Sequence, residues 1–130
     1  MSIRASLLTR TLVRRWIPRR KADTHKGDYG HVLVIAGSRG MSGAGVLCAA
    51  GALRGGSGLV TLAVPKSRQT IVAKKNPPEA MTLALEETPQ GAFAPKGIPA
   101  LLDWMEKRRI TSLAIGPGLC RARGADYAAG

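Results

Sequence analysis

Aromatic residues are scarce in this chain of 130 residues, where Phe, Trp and Tyr together make up 4%. Because aromatic side chains do not alternate with the basic ones, the sequence offers no stacking platform for single-stranded nucleic acid. No run of 18 or more apolar residues occurs, which excludes a transmembrane helix. The two cysteines, Cys48 and Cys120, lie far apart without a CxxC pattern, which argues against a cysteine-based metal site.

Acidic residues are also few, with 8 against 20 lysines and arginines, so the formal net charge is +12. Such an excess is typical of nucleic-acid binders, and a basic nucleic-acid-associated protein stays open as one hypothesis. Seven of the basic residues precede Asp23, the first acidic residue, and the others are scattered. Because the basic residues do not form one dedicated patch, we expect no specific nucleic-acid partner. The lack of a long apolar run predicts no membrane partner, and the two separated cysteines predict a cytoplasmic protein with reduced thiols.

The basic residues at the beginning of the chain accompany an apolar pattern. Apolar residues recur there at helical intervals, with arginines opposite them: Leu7, Leu8, Leu12, Val13 and Trp16. The pattern predicts a basic amphipathic helix within residues 1–22 that lies on the domain. An Arg-rich mitochondrial transit peptide is the alternative.

The segment from residue 31 to residue 64 predicts a βαβ unit. Residues 31–36 are mostly β-branched or aliphatic, which is the pattern of a strand covered on both faces. Four glycines follow within nine residues: Gly37, Gly40, Gly43 and Gly45. Glycine suits positions where φ is positive or where a ligand comes close to the backbone. A small-residue helix over 46–54 and a strand over 59–64 complete the unit.

Two common phosphate-binding loops do not fit these glycines. No Lys-Ser or Lys-Thr pair follows them, which excludes a Walker-type loop. Their spacing is not G-x-G-x-x-G, and the second strand ends at Val64-Pro65-Lys66 without the carboxylate that an ordinary dinucleotide site uses. Glycines that only allow a tight strand-to-helix turn are the simpler alternative.

The rest of the chain continues the alternation of helix and strand. The predicted elements are two helices and two strands, over residues 66–75, 98–109, 80–85 and 111–115. The inward face of the second helix is predicted to consist of Ile98, Leu101, Leu102 and Met105. Strand and helix thus alternate four times, which indicates an α/β fold with a parallel sheet. Because the glycine-rich loops 37–45 and 116–118 both follow strands, we expect them on one rim, where such sheets bind ligands.

Four motifs stand out along the chain. In order, they are His25-Lys26-Gly27 with the glycine-rich βαβ segment that follows it, Ala52 to Val60, Pro78 to Met81, and Ala114 to Leu119. Together they resemble the ADP- or ATP-dependent NAD(P)H-hydrate dehydratases, which are ribokinase-like, carbohydrate-kinase-like repair enzymes. The resemblance implies a ribokinase-like three-layer α/β fold, here with about four mostly parallel strands and flanking helices.

The resemblance covers residues from about Leu7 to Leu119 and implies one partial dehydratase domain over 1–130, with an atypical tail over 120–130. In the family, a Lys-Gly nucleotide loop and a Gly-Thr-Gly-Asp motif, which carries the catalytic base, follow the segment that the resemblance covers, and neither has a counterpart after Leu119 in this sequence. We therefore expect an amino-terminal fragment that is inactive alone, for which the catalytic residues are unknown and no residue is a metal ligand. A small nucleotide-binding or regulatory module completed by another chain is the alternative.

The resemblance also implies the ligands. NAD(P)H-hydrate is the expected substrate, ADP or ATP with Mg²⁺ are the expected cofactors, and full-length members are expected to be homo-oligomers. The resemblance assigns substrate contacts to Ala44 and Gly118. Gly43, Gly45 and Gly116 are expected to let the backbone come close to the ligand. The Ser38 hydroxyl is expected either to donate a hydrogen bond to the ligand or to cap the turn. For His25 and Lys26 we expect only a loop that anchors the first strand.

Overall fold

In the computed structural model, residues 7–17 and 19–119 are described, and they alternate between helices and strands. The elements are α1 (Arg10–Trp16), β1 (His31–Ile35), α2 (Ser42–Arg54), β2 (Leu59–Pro65), α3 (Gln69–Ala73), β3 (Met81–Leu85), α4 (Ile98–Lys107) and β4 (Ser112–Ile115). Short 3-10 helices precede β1, α3 and α4, at Lys26–Tyr29, Lys66–Arg68 and Pro95–Gly97. The tail predicted over 120–130 lies outside the described residues.

The four strands form one parallel sheet in the order β3-β2-β1-β4. In this register Leu33 of β1 lies between Thr61 of β2 and Leu113 of β4. Parallel neighbours need crossover connections, which α2, α3 and α4 supply. The predicted parallel α/β sheet is therefore confirmed. The chain runs from β1 to β2 and β3 on one side, whereas β4 lies on the other side of β1.

The core lies where α2 and α3 cover the sheet. Its buried members are Val34, Ala36, Ala49, Val60, Leu62, Val64, Val72 and Ala80, and Cys48 packs partly buried against them. α2 approaches the sheet closely because small residues face it. A Cβ on Gly45 would lie 3.0 Å from Leu62 Cδ1 and 3.4 Å from Ala36 Cβ, so a larger side chain would push the helix off the sheet.

His31 is a buried polar residue at the beginning of β1. Its Nε2 lies 2.8 Å from Thr61 Oγ1, and its Nδ1 lies 3.3 Å from the carbonyl oxygen of Arg108. Its backbone N–H donates to Thr111 Oγ1 at 2.9 Å. These bonds join β1 to β2 and to the connection between α4 and β4.

Replacing Thr61 by valine is expected to lower the free energy of unfolding by about 1–3 kcal/mol, because it leaves a ring nitrogen of His31 buried without a partner. Thr61 is 1% exposed, so bulk water cannot take the place of its hydroxyl. Urea unfolding measures the loss. The control is Thr82→Val on β3, where the threonine is only half-buried and makes no side-chain hydrogen bond among the described residues. Equal losses in the two variants would contradict the role given to Thr61.

α1 differs from its prediction. Only Arg10–Trp16 is helical, and none of these residues is buried. The side chains of Leu7, Leu8, Val13 and Trp16 are exposed, so the expected packing of this helix on the domain is not observed. The contact with the domain comes later instead. The guanidinium of Arg20 donates to the carbonyl oxygen of Gly56 at 2.8 Å and lies 4.2 Å from the centre of the Tyr29 ring.

Candidate functional site

Two loops meet where β1 and β4 end. The first loop, residues 36–41, follows β1, and the second loop, residues 116–119, follows β4. The N–H of Gly37 donates to the carbonyl oxygen of Pro117 at 2.8 Å, and the Ser38 hydroxyl donates to the carbonyl oxygen of Gly118 at 2.8 Å. The predicted common rim is therefore correct. The direction of strand order reverses between β1 and β4, and a sheet of this kind binds ligands at that crevice.

The glycine loop is shorter than the sequence suggested. α2 begins at Ser42, so Gly43, Ala44 and Gly45 belong to its first turn and not to the loop before it. Their φ angles are not positive, whereas those of Gly37 and Gly40 are +82° and +86°. The conformational freedom of glycine is therefore used only in the first part of the predicted segment, over residues 37–40.

Gly118 lies against the first turn of α2. Its φ of +68° favours glycine, and a Cβ there would lie 2.8 Å from Ala44 Cβ and 2.9 Å from the carbonyl oxygen of Met41. Both distances are well below van der Waals contact, so only glycine fits. The fold thus brings together Ala44 and Gly118, the two residues to which the resemblance assigns substrate contacts.

Gly43 and Gly116 border open space beside this contact. A Cβ on either residue would have no neighbour within 4 Å. Gly116 has a φ of +131°, and its N–H donates to the carbonyl oxygen of Ile35 at 3.3 Å. The backbone at both positions is therefore accessible to a ligand at the mouth of the crevice.

Ser38 is almost completely buried, with 1% of its surface exposed. Its hydroxyl proton is used in the bond to Gly118, and its carbonyl oxygen accepts the N–H of Met41 at 3.0 Å, which closes a turn. Of the two roles left open for Ser38, the turn-forming role accounts for these bonds. The residue joins the two loops, and its hydroxyl has no second proton to donate.

The rim has positive charge that the sequence analysis did not single out. Arg39 is exposed in the first loop, and no ion pair between described residues includes it. The N-cap residue of α2, Met41, makes no side-chain cap, and the first turn of the helix contains no acidic residue. The first N–H groups of a helix carry a partial positive charge that favours anions. Arg39 could have been found as the one charged side chain within the glycine-rich loop.

His25 and Lys26 precede β1, so they lie at the amino ends of the strands, away from the two loops. His25 is exposed, its Nε2 lies 3.6 Å from Asp28 Oδ1, and its backbone N–H donates to Asp28 Oδ2 at 2.9 Å. The 3-10 helix Lys26–Tyr29 is joined to the beginning of β2 by a bond from the N–H of Gly58 to the carbonyl oxygen of Tyr29, at 3.1 Å. These bonds hold the loop together and attach it to the beginning of β2, and its role as an anchor of the first strand stays a prediction.

Residues 7–17 and 19–119 contain neither a candidate metal cluster nor a candidate membrane-spanning helix. Across these ranges no group of three or more His, Cys, Asp or Glu side chains is placed to hold a metal ion. Within the same ranges no helix combines the length and the apolar character that crossing a bilayer requires. The carboxylates after β3 are engaged elsewhere, since Glu86 pairs with Lys96 at 3.3 Å and Glu87 accepts from the Ser67 hydroxyl at 2.8 Å.

Comparison with known proteins gives a family match that includes both loops. A family model described as NAD(P)H-hydrate dehydratase matches residues 32–129. The chain is 48% identical over 115 residues to the bifunctional NAD(P)H-hydrate repair enzyme Nnr of Moorella thermoacetica, a match that covers 88% of this chain and 21% of that protein.

Solved structures give the same picture. An ADP/ATP-dependent NAD(P)H-hydrate dehydratase from Bacillus subtilis, co-crystallised with ATP and Mg²⁺, is 36% identical with a TM-score of 0.52 over 58% of this chain and 27% of its own. A ribokinase-like superfamily protein from Enterococcus faecalis, 24% identical, superposes with a TM-score of 0.64 over 86% of this chain and 35% of its own. The latter match shows the predicted ribokinase-like fold. The chain spans between 21% and 35% of these three proteins.

Proposed function

Because the chain belongs to the NAD(P)H-hydrate dehydratase family, we propose that its two loops bind NAD(P)H-hydrate, as the amino-terminal part of a dehydratase site. The contact between Gly118 and Ala44 is the observation that carries the proposal. It makes one continuous surface from two loops at the crevice of the sheet, although the residues are far apart in the sequence. We also propose that the protein acts in the cytoplasm, in the repair of hydrated nicotinamide nucleotides.

The small residues of this site leave room for the ligand next to the backbone. Gly43 and Gly116 leave backbone atoms accessible, and Ala44 and Gly118 form the wall between them. NAD(P)H-hydrate is an anion because its two nucleotides are joined by a pyrophosphate. The exposed guanidinium of Arg39 and the positive end of α2 therefore favour binding of the pyrophosphate at this rim.

The complete reaction needs more than this surface. In the proposed ADP- or ATP-dependent dehydration, the nucleotide phosphorylates the ring hydroxyl, and loss of phosphate together with a neighbouring proton restores NADH or NADPH. Among residues 7–17 and 19–119 no group of three or more His, Cys, Asp or Glu side chains is placed to hold Mg²⁺. The role proposed for this chain is therefore to bind and orient the substrate, and we expect no turnover from the chain alone.

Gly43→Leu is expected to block binding of hydrated NADH, because the new side chain extends into open space at the mouth of the site without a clash inside the protein. Backbone amide chemical shifts measured by NMR during a titration report the binding. In the unchanged protein we expect shifts at residues 37–44 and 116–118, and in Gly43→Leu we expect at least a tenfold loss of affinity, or about 1.4 kcal/mol.

Gly51→Leu is the matched control, since Gly51 lies on the same helix, also has nothing within 4 Å of an added Cβ, and is away from both loops. It is expected to leave the affinity unchanged. Chemical-shift changes confined to the amino ends of the strands, around residues 25–30, would contradict the proposal. Equal binding by both variants would also contradict it.

A further inference from the structure

An open pocket of about 460 Å³ lies at the amino ends of β2 and β3, where α2 ends and where the turn before β3 approaches it. The side chains that line it include two arginines, a serine and one carboxylate: Arg20, Arg54, Ser57 and Glu79. β2 has 7 residues. Because a strand rises about 3.3 Å per residue, roughly 20 Å separates this pocket from the two loops at the carboxyl ends of the strands.

The guanidinium of Arg20 is held in place by the protein. Its Nη2 donates to the carbonyl oxygen of Gly56 at 2.8 Å, and its centre lies 4.2 Å from the centre of the Tyr29 ring. The Tyr29 hydroxyl lies 2.7 Å from Thr24 Oγ1, which holds the ring. No ion pair between described residues includes Arg20, although a guanidinium has several further N–H donors in one plane. The fold therefore positions an arginine whose charge no described carboxylate neutralises.

Arg54 brings a second positive charge to the pocket. It is the last residue of α2, its side chain is exposed, and it too belongs to no ion pair between described residues. The hydroxyl of Ser57 is half-buried and makes no hydrogen bond within the described part of the chain. Two guanidinium groups and a hydroxyl are the donors that bind phosphate oxygens in proteins.

The carboxyl end of α2 carries little free negative charge that would repel an anion. Carbonyl oxygens at the end of a helix are normally left without partners and have a partial negative charge. Here the carbonyl oxygens of Gly51, Ala52 and Leu53 each accept a backbone N–H from the residues that follow the helix, at 2.8, 3.1 and 3.0 Å. The arginines therefore determine the charge on this side of the pocket.

Glu79 places one negative charge in the same pocket. Its side chain is exposed, and no ion pair between described residues includes it. A ligand that satisfies all the charged groups therefore needs an anionic end for the arginines and an amino group for the carboxylate.

We propose that this pocket binds a small phosphate monoester that also carries an amino group, with the phosphate between Arg20 and Arg54 and the amino group at Glu79. Near pH 7 a phosphate monoester has about two negative charges, which two guanidinium groups neutralise. The site goes beyond the proposed function and does not depend on it, because none of its residues belongs to the two loops.

Two probes that differ only by an amino group test the proposal, phosphoethanolamine and ethyl phosphate. Each is titrated into the 130-residue chain while backbone amide chemical shifts are measured by NMR, and we expect changes at residues 53–58 and 79–80. Arg54→Ala is expected to weaken the binding of both probes at least about tenfold, because it removes a charged hydrogen-bond donor. Arg108→Ala is the matched control, since it removes the same charge at the C-cap of α4, outside the pocket, and is expected to leave both affinities unchanged.

Glu79→Gln tests the other end of the ligand. The unchanged protein is expected to bind phosphoethanolamine about threefold more tightly than ethyl phosphate, which is the range of an exposed ion pair. The variant is expected to lose this preference, because glutamine is neutral.

Three outcomes would overturn the proposal: no chemical-shift change at residues 53–58, equal weakening by Arg54→Ala and Arg108→Ala, or a preference for phosphoethanolamine that survives Glu79→Gln. The proposed function fails separately. Arg54→Ala is expected to keep the changes that hydrated NADH causes at residues 37–44 and 116–118, because Arg54 lies at the other end of α2. Absence of those changes in the unchanged protein would count against the substrate site alone.

Discussion

Gly58→Ala is expected to lower the free energy of unfolding by about 3 kcal/mol, the largest effect of any single methyl group considered in this chain. A Cβ at Gly58 would overlap the backbone carbonyl oxygen of Lys26, which cannot move away as a side chain could. The collision would separate the 3-10 helix before β1 from the beginning of β2. The bonds that join them, from Gly58 N–H to Tyr29 and from Leu59 N–H to Gly30, would be lost.

Urea unfolding of the purified chain measures this loss. Gly51→Ala is the control, because an added Cβ there has no neighbour within 4 Å and alanine is the better helix former. It is expected to raise the free energy of unfolding by about 0.5–1 kcal/mol. If Gly58→Ala were as stable as the unchanged protein, the contact between Lys26 and Gly58 would be wrong.

Gly118→Ala is expected to open the contact between the two loops and to abolish binding of hydrated NADH. The methyl group would face Ala44 Cβ at 2.8 Å and the carbonyl oxygen of Met41 at 2.9 Å, at a φ of +68°. The left-handed conformation adds a cost of about 1–2 kcal/mol for a residue with a Cβ. We expect hydrogen exchange of the Gly37 amide, which donates to Pro117, to become at least tenfold faster, or about 1.4 kcal/mol easier to open.

Gly40→Ala separates the clash from the backbone strain. Gly40 has a φ of +86° and lies in the first loop, but an added Cβ would have nothing within 4 Å. This variant is expected to bear a similar conformational cost while the Gly37 amide stays protected. Equal exchange rates in the two variants would show that strain alone, and not the contact with Ala44, controls the loops.

The sequence predicted the strands well because their pattern is simple. β1 and β2 are apolar runs apart from His31 and Thr61, and the observed strands, His31–Ile35 and Leu59–Pro65, differ from the prediction by one residue at one end. α2 was harder. Gly43 and Gly45 have low helix propensity, so the helix was predicted to begin at residue 46, yet it begins at Ser42. Close packing of Gly45 on Leu62 favours the helical conformation there, and a propensity scale does not contain that contact.

The position of the site was only partly predictable. Alternation of strand and helix places both loops at the carboxyl edge of the sheet, but it does not place β4 next to β1. The pairing of β4 with β1 depends on tertiary contacts, and it brings Gly118 next to Ala44. The exposure of α1 was not predictable for a different reason. The spacing of Leu12, Val13 and Trp16 predicts an apolar face correctly, but a pattern on one helix cannot identify the surface that will cover it.

Both hydrogen bonds between the loops run from the first loop to the second, and the one from Ser38 joins residues 80 positions apart. The contact between the two loops therefore does not form until β4 has docked beside β1. A growing or partly folded chain that has not yet placed β4 lacks the contact between the two loops, so binding of the proposed ligand would report that β4 has docked beside β1. Once β4 has docked, the two loops are preorganised, so binding of the proposed ligand would cost little conformational entropy.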